Sequence, residues 1–120
     1  MSDRPFLPVA VTNLVERVLA SRSARSPAEL RRAVYDYVAA LTRGEAPGAV
    51  VPPVAEPYLR KVALNAYKVL DREVEAIRTS GMSVDDVFEI TVAASVSAGV
   101  TRMEIALAAL EKEARDAVAS

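Results

Sequence analysis

Tyr67, Lys68, Asp71, Arg72 and Glu73 form the densest group of chemistry-bearing side chains in the sequence. Tyr67 and Asp71 stand four residues apart, so on a helix the phenol and the carboxylate share a face. Buried in an interface, the two would hydrogen-bond. Burial would also raise the carboxylate pKa toward the range of a general acid or base. Glu73 lies one step further round. The pattern marks Tyr67, Asp71 and Glu73 as candidate catalytic residues, moving a proton on a small molecule or holding a polar ligand. The same residues have a plainer reading. Lys68 and Arg72 are also four apart, within reach of Asp71, Glu73 or Glu75, and solvated pairs of this kind contribute only a few tenths of a kcal/mol. Glu89 and Thr91 form a second, sparser candidate. They interrupt an otherwise apolar stretch, as either rim residues or a buried functional group.

The absences narrow the chemistry further. The 120 residues contain no cysteine and no histidine. Thiol redox chemistry, cysteine nucleophiles, histidine acid–base catalysis and the usual zinc sites therefore have no residues to perform them. A metal could be held only by carboxylate and carbonyl oxygens, and the sequence suggests neither a metal nor a cofactor. The net charge is −1 and the signs are mixed along the chain. This does not suit nucleic acid as the main partner, which needs a positive field. Arg4, Arg17, Arg22, Arg25, Arg31 and Arg32 make the first third locally basic, and the spacing suggests a solvated helix face.

The positioning elements follow from hydrophobic spacing. Residues 1–8 read as an irregular arm with Phe6 and Leu7 as anchors, and residues 9–120 as one domain. Val11, Leu14, Val15, Val18 and Leu19 recur at helical intervals over 9–22. A short break at Ser23-Ala24-Arg25 precedes a second helix. Ser26, Pro27 and Glu29 predict a capped start for it, and Gly44 its end. Four residues in 45–54, Pro47, Gly48, Pro52 and Pro53, exclude a helix there, and the apolar Ala49, Val50 and Val51 suggest that this loop lies on the body. Leu59, Val62, Ala63, Ala66, Leu70, Val74 and Ile77 predict a third helix over 56–80, ended by Gly81. Ser83 and Asp86 cap a fourth, apolar nearly all round and therefore central. Gly99 reads as its stop. Thr101 to Glu104 then reads as the capping box of a fifth helix, with Met82 and Met103 as packing residues. No strand pattern emerges. The expectation is an all-α bundle of about five helices.

Hydrophobic residues make up 52% of the chain but aromatics only 5%. An Ala-, Val- and Leu-rich composition of this kind suits close helix packing, and its excess suggests burial between subunits. No basic start leads into a signal-like apolar run, and no stretch holds about 18 continuous apolar residues. The expectation is a cytoplasmic protein without membrane or nucleic-acid partners.

One run carries a family resemblance. Gly81-Met82-Ser83-Val84-Asp85-Asp86-Val87, followed by Ala93-Ala94 and then Ala98-Gly99-Val100-Thr101-Arg102, resembles the alkylhydroperoxidase D (AhpD)/carboxymuconolactone decarboxylase superfamily over about residues 57–110. The resemblance implies an AhpD-like all-α fold and a homo-oligomer, a trimer or hexamer, with sites near subunit contacts. Redox members of that family carry Cys-x-x-Cys-x-x-x-His on the helix before the glycine. Those positions fall here on Ala66, Val69 and Glu73, and the assisting acid falls near Val54, with Glu56 close by. The thiol peroxidase activity therefore does not transfer. Two readings remain. One is a cysteine-free relative that binds or transforms a small molecule through Tyr67, Asp71 and Glu73. The other is a non-catalytic helical oligomerisation or protein-interaction module.

Overall fold

The computed structural model describes residues 7–21 and 26–119. The expectations for Phe6, for Arg4, Arg22 and Arg25, and for the break at Ser23-Ala24-Arg25 fall outside those residues. The described chain is all-α, with five helices and no strand. They are α1 (Val9–Ala20), α2 (Ala28–Thr42), α3 (Glu56–Leu64), α4 (Asp71–Thr79) and α5 (Val84–Ala119). Short 3-10 turns at Pro53–Ala55 and Ala66–Lys68 precede and follow α3.

The number five agrees with the sequence expectation, but two of the boundaries do not. The expected third helix over 56–80 is two helices. Asn65 leaves helical geometry at φ −151° and ψ 63°, and Leu70 is extended before α4 begins. Asn is a weak helix former that competes for backbone hydrogen bonds. Beyond it, Glu73 accepts a hydrogen bond from the Leu70 N–H at 3.1 Å and starts a new helix. The ends of the expected stripe, Leu59, Ala63 and Ile77, are buried, whereas Ala66 and Leu70 at the break are exposed.

The reverse happens at Gly99. No stop occurs there, and α5 runs unbroken for 36 residues. Among the described residues the glycines with positive φ are Gly44 (78°) and Gly81 (111°), the two expected terminators of α2 and α4. Thr101 and Glu104 cap nothing. Both are buried, and the Glu104 carboxylate pairs with Arg43 at 2.7 Å, just past the end of α2. At its other end α5 has the capping expected of it. The Ser83 hydroxyl accepts from the Asp86 N–H at 3.0 Å, and Asp86 accepts from the Ser83 N–H at 3.1 Å. This is the reciprocal capping box that satisfies orphan donors of a first turn.

The core lies between α5 and the helices laid along it. Val34, Tyr37, Val38 and Leu41 of α2 and Tyr58, Leu59 and Ala63 of α3 meet Ile77 of α4 and Val87, Ile90, Ala93, Ala94 and Ala98 of α5. Small residues on α5 let α2 approach closely, and the Ser97 hydroxyl donates to the Tyr35 carbonyl at 2.6 Å. Val51 is buried in the same cluster and Ala49 packs against it, whereas Val50 is exposed, so the 45–54 loop touches the body at two of its three apolar residues. Each fully buried Val, Leu or Ile contributes about 1.5–3 kcal/mol. By length and composition α5 could cross a membrane, with mean hydropathy 1.3 over its most apolar window; 44% of that window is buried within the protein.

Arg31 joins α1 to this body, and it is not a solvated residue. It is 2% exposed. Its Nε donates to the Val18 carbonyl at 2.9 Å. Nη2 donates to the carbonyls of Leu19 (3.2 Å) and Ser21 (2.8 Å). Nη1 donates to the Ser26 carbonyl and, at 3.1 Å, to the Ser26 hydroxyl. The guanidinium thereby takes carbonyls that the end of α1 leaves unpaired, where a cation is favoured. Ser26 is consequently not the cap expected of it. Pro27 occupies the N-cap position of α2 without a side-chain cap, and the Ser26 N–H donates to Glu89 at 2.6 Å.

Two measurements test these points. A Cβ at Gly99 meets nothing within 4 Å. Gly99→Ala should therefore stabilise the protein by about 0.5–1 kcal/mol, as alanine does inside a helix. A loss of that size on chemical denaturation would restore the break. Arg31→Met leaves buried carbonyls without donors and should lower stability by roughly 3 kcal/mol. Arg31→Lys should recover little, because an ammonium offers three donors in place of five. Unchanged melting of Arg31→Met would refute this role.

Candidate functional site

The Tyr67, Asp71 and Glu73 group falls at the junction between α3 and α4. Tyr67 sits in the 3-10 turn Ala66–Lys68, and its side chain lies outside the described part of the structure. Asp71 is exposed in the first turn of α4. The helical register that set Tyr67 and Asp71 on one face does not exist, because the chain between them is a 3-10 turn followed by extended residues. Glu73 is half-buried. It accepts from Lys61 Nζ at 2.5 Å and from the Leu70 backbone. Lys61, on α3, is a partner that sequence spacing missed, since the kink at Asn65 brings it across to α4.

The electrostatics follow from that pair. The Lys61 ammonium beside Glu73 holds its carboxyl below the usual carboxylate range. Partial burial opposes this, and the Leu70 N–H and nearby Arg72 act with Lys61. A carboxylate kept ionised can accept hydrogen bonds or act as a base, but it is not the proton donor that burial alone would have made. Its second oxygen, Oε2, is buried and has no hydrogen-bond partner. Among the described residues no group of three or more acidic side chains could hold a metal ion.

The second sequence candidate separates into two structural roles. The Thr91 hydroxyl lies 2.5 Å from the Tyr58 hydroxyl and donates to the Val87 carbonyl at 2.6 Å. Glu89 accepts from the Ser26 N–H. It also lines a small cleft of about 110 Å³ with Val18, Arg31, Phe88 and Val92. The five N–H donors of Arg31 are already occupied there, so the cleft has apolar walls and offers no free guanidinium donor.

The feature that sequence reading missed is an uncovered face. From Ile105 to Ala119 every residue of α5 except Leu107 is exposed, and Leu110 is 66% exposed. Met103, expected to pack, is 39% exposed. The molecule measures 58 × 30 × 23 Å, its long axis in keeping with a helix of this length. Met103, Leu107, Leu110, Ala114 and Ala117 recur at intervals of four and three residues. That is the spacing of a helix seam, and it was legible once the stop at Gly99 was removed.

The Lys61–Glu73 pair gives a pH prediction. Because the folded pKa is depressed, its stabilisation is fully present above the ordinary glutamate pKa of about 4.3. It is lost as pH falls through the lowered folded value. Denaturation midpoints of wild type and Glu73→Gln should differ at pH 7, and the difference should shrink as the pH is lowered below about 4. A gap that persists at low pH would show that Glu73 acts through packing alone. No protein family, curated protein or solved structure matches this chain.

Proposed function

We propose that this chain is a non-catalytic helical assembly module, a homo-oligomer built through the projecting half of α5. The reading rests on one observation: a folded helix extends beyond its own core with Met103 and Leu110 exposed on one face. Isolated helices of this length are marginal in water and take most of their stability from packing an apolar face. A partner that covers the face supplies that packing. The resemblance of residues 81–87 and 98–102 to AhpD/carboxymuconolactone decarboxylase proteins supports the same reading, since that family implies an oligomer. In this chain the family's thiol positions are Ala66 and Val69, so assembly is the family property that can persist without them.

A second reading places a small-molecule site at Tyr67, Asp71 and Glu73. It is supported by the buried, unpartnered Oε2 of Glu73. The commitment of Glu73 to Lys61 and Leu70, and the exposure of Asp71, favour the assembly reading over it.

Native mass spectrometry tests both. Wild type should appear as an oligomer, and Leu107→Glu/Leu110→Glu as a monomer with unchanged helical circular dichroism. A monomeric wild type would end the assembly reading. An extra mass carried by wild type and lost in Glu73→Gln would favour the small-molecule site instead.

A further inference from the structure

We infer that the covering partner is a second copy of this chain, with its α5 arm antiparallel to the first. The inference rests on the assembly reading above and adds the direction and register of the contact.

The seam is placed for it. At about 100° per residue, Met103, Leu107, Leu110 and Ala114 lie about 80–140° around α5 from Ser97, which is on the buried side. The body therefore occupies one side of the helix and leaves the seam open on another. Between Met103 and Ala117 no charged residue falls on the seam. Glu111, Lys112, Glu113, Arg115 and Asp116 flank it or lie behind it.

The sizes along the seam are self-complementary in one direction only. Its first part is bulky (Met103, Leu107, Leu110), and its last part is small (Ala114, Ala117). In an antiparallel pair Met103 packs against Ala114 of the partner subunit, and Leu107 against Leu110 of the partner subunit. These two layers then join a large residue to a small one and one leucine to another, as interdigitating helices require. In a parallel pair Ala114 and Ala117 face themselves and leave voids, which are unfavourable. The two helix dipoles also oppose each other favourably only when antiparallel.

The flanks agree with this register. It brings Glu113 near Arg102 of the partner subunit on one side. On the other it brings Glu111 near Arg43 of the partner subunit, whose guanidinium is already drawn to α5 by Glu104 and is 35% exposed. Opposite charges meet at both edges. A contact confined to the arms falls near the lower limit of specific interfaces, on the order of 1,000 Å², so the pair should be concentration-dependent. Its two-fold symmetry fits a dimer, or a hexamer made of three pairs.

The absence of cysteine makes the register directly measurable, because introduced thiols are the only ones present. Met103→Cys and Ala114→Cys proteins are purified separately, then mildly oxidised alone and as an equal mixture. The expected result is a disulfide-linked dimer in the mixture and little in either protein alone. Efficient cross-linking of Ala114→Cys with itself would establish a parallel pair and overturn the inference. So would an oligomer in sedimentation equilibrium that forms no disulfide, which would put the contact elsewhere and leave the assembly reading standing. A wild type that sediments as a monomer at about 100 times the micromolar range typical of weak contacts would overturn both. A monomer that floats with phosphatidylcholine vesicles would identify a lipid surface as the occupant and also overturn both.

Discussion

Close approach between α2 and α5 sets the terms for the rest of the molecule. The inner side of α5 offers Ala93, Ala94, Ser97 and Ala98, all buried, to the larger Val34, Tyr37, Val38 and Leu41 of α2. Small residues on one helix and larger ones on the other let two backbones come near without voids. Two polar contacts cross this seam. Ser97 donates to the Tyr35 carbonyl, and Glu104 meets Arg43. The second contact carries the heavier consequence, because it meets the charge of a buried carboxylate. Glu104 thus fixes the register of α5 against the end of α2, and that register decides which α5 residues remain outside.

The outlying helices are held by side chains reaching for backbone carbonyls. Arg31 gathers the carbonyls at the end of α1. Arg102 donates to the Ala63 carbonyl near the end of α3. Lys61 and Glu73 bridge the kink between α3 and α4. Each contact places a cation where the negative end of a helix or an acidic first turn waits for it. A small body with few aromatics is thereby tied together at its helix ends as well as by its core.

Sequence reading recovered the elements whose signals are local. Gly44 and Gly81 end helices because their positive φ suits glycine, and Ser83 with Asp86 starts one through side chains three residues apart. It failed where one spacing served two purposes. Thr101 and Glu104 stand three apart, which suits a capping box and equally puts both on one helix face; tertiary burial chose the face. Gly99 resembles a stop but lies in helical geometry. The stripe from Leu59 to Ile77 keeps helical period through Asn65, so periodicity could not reveal the break. Of the candidate site, Glu73 was found but its partner Lys61 was not, because their proximity arises only from the kink. Arg31 looked like one of several surface arginines, and only the placement of α1 distinguishes it.

The length of α5 also orders events during synthesis. Helices α1 to α4 leave the ribosome before α5, yet Val34, Leu59 and Ile77 find much of their cover on it. Until residues 84–104 have emerged, the nascent chain holds amphipathic helices with their apolar sides open, the condition in which chaperones bind and chains misassociate. The core then closes around α5, after the helices that it covers have been made. The projecting part of that same helix is translated after the part that closes the core, so the core can close before the projecting part is complete.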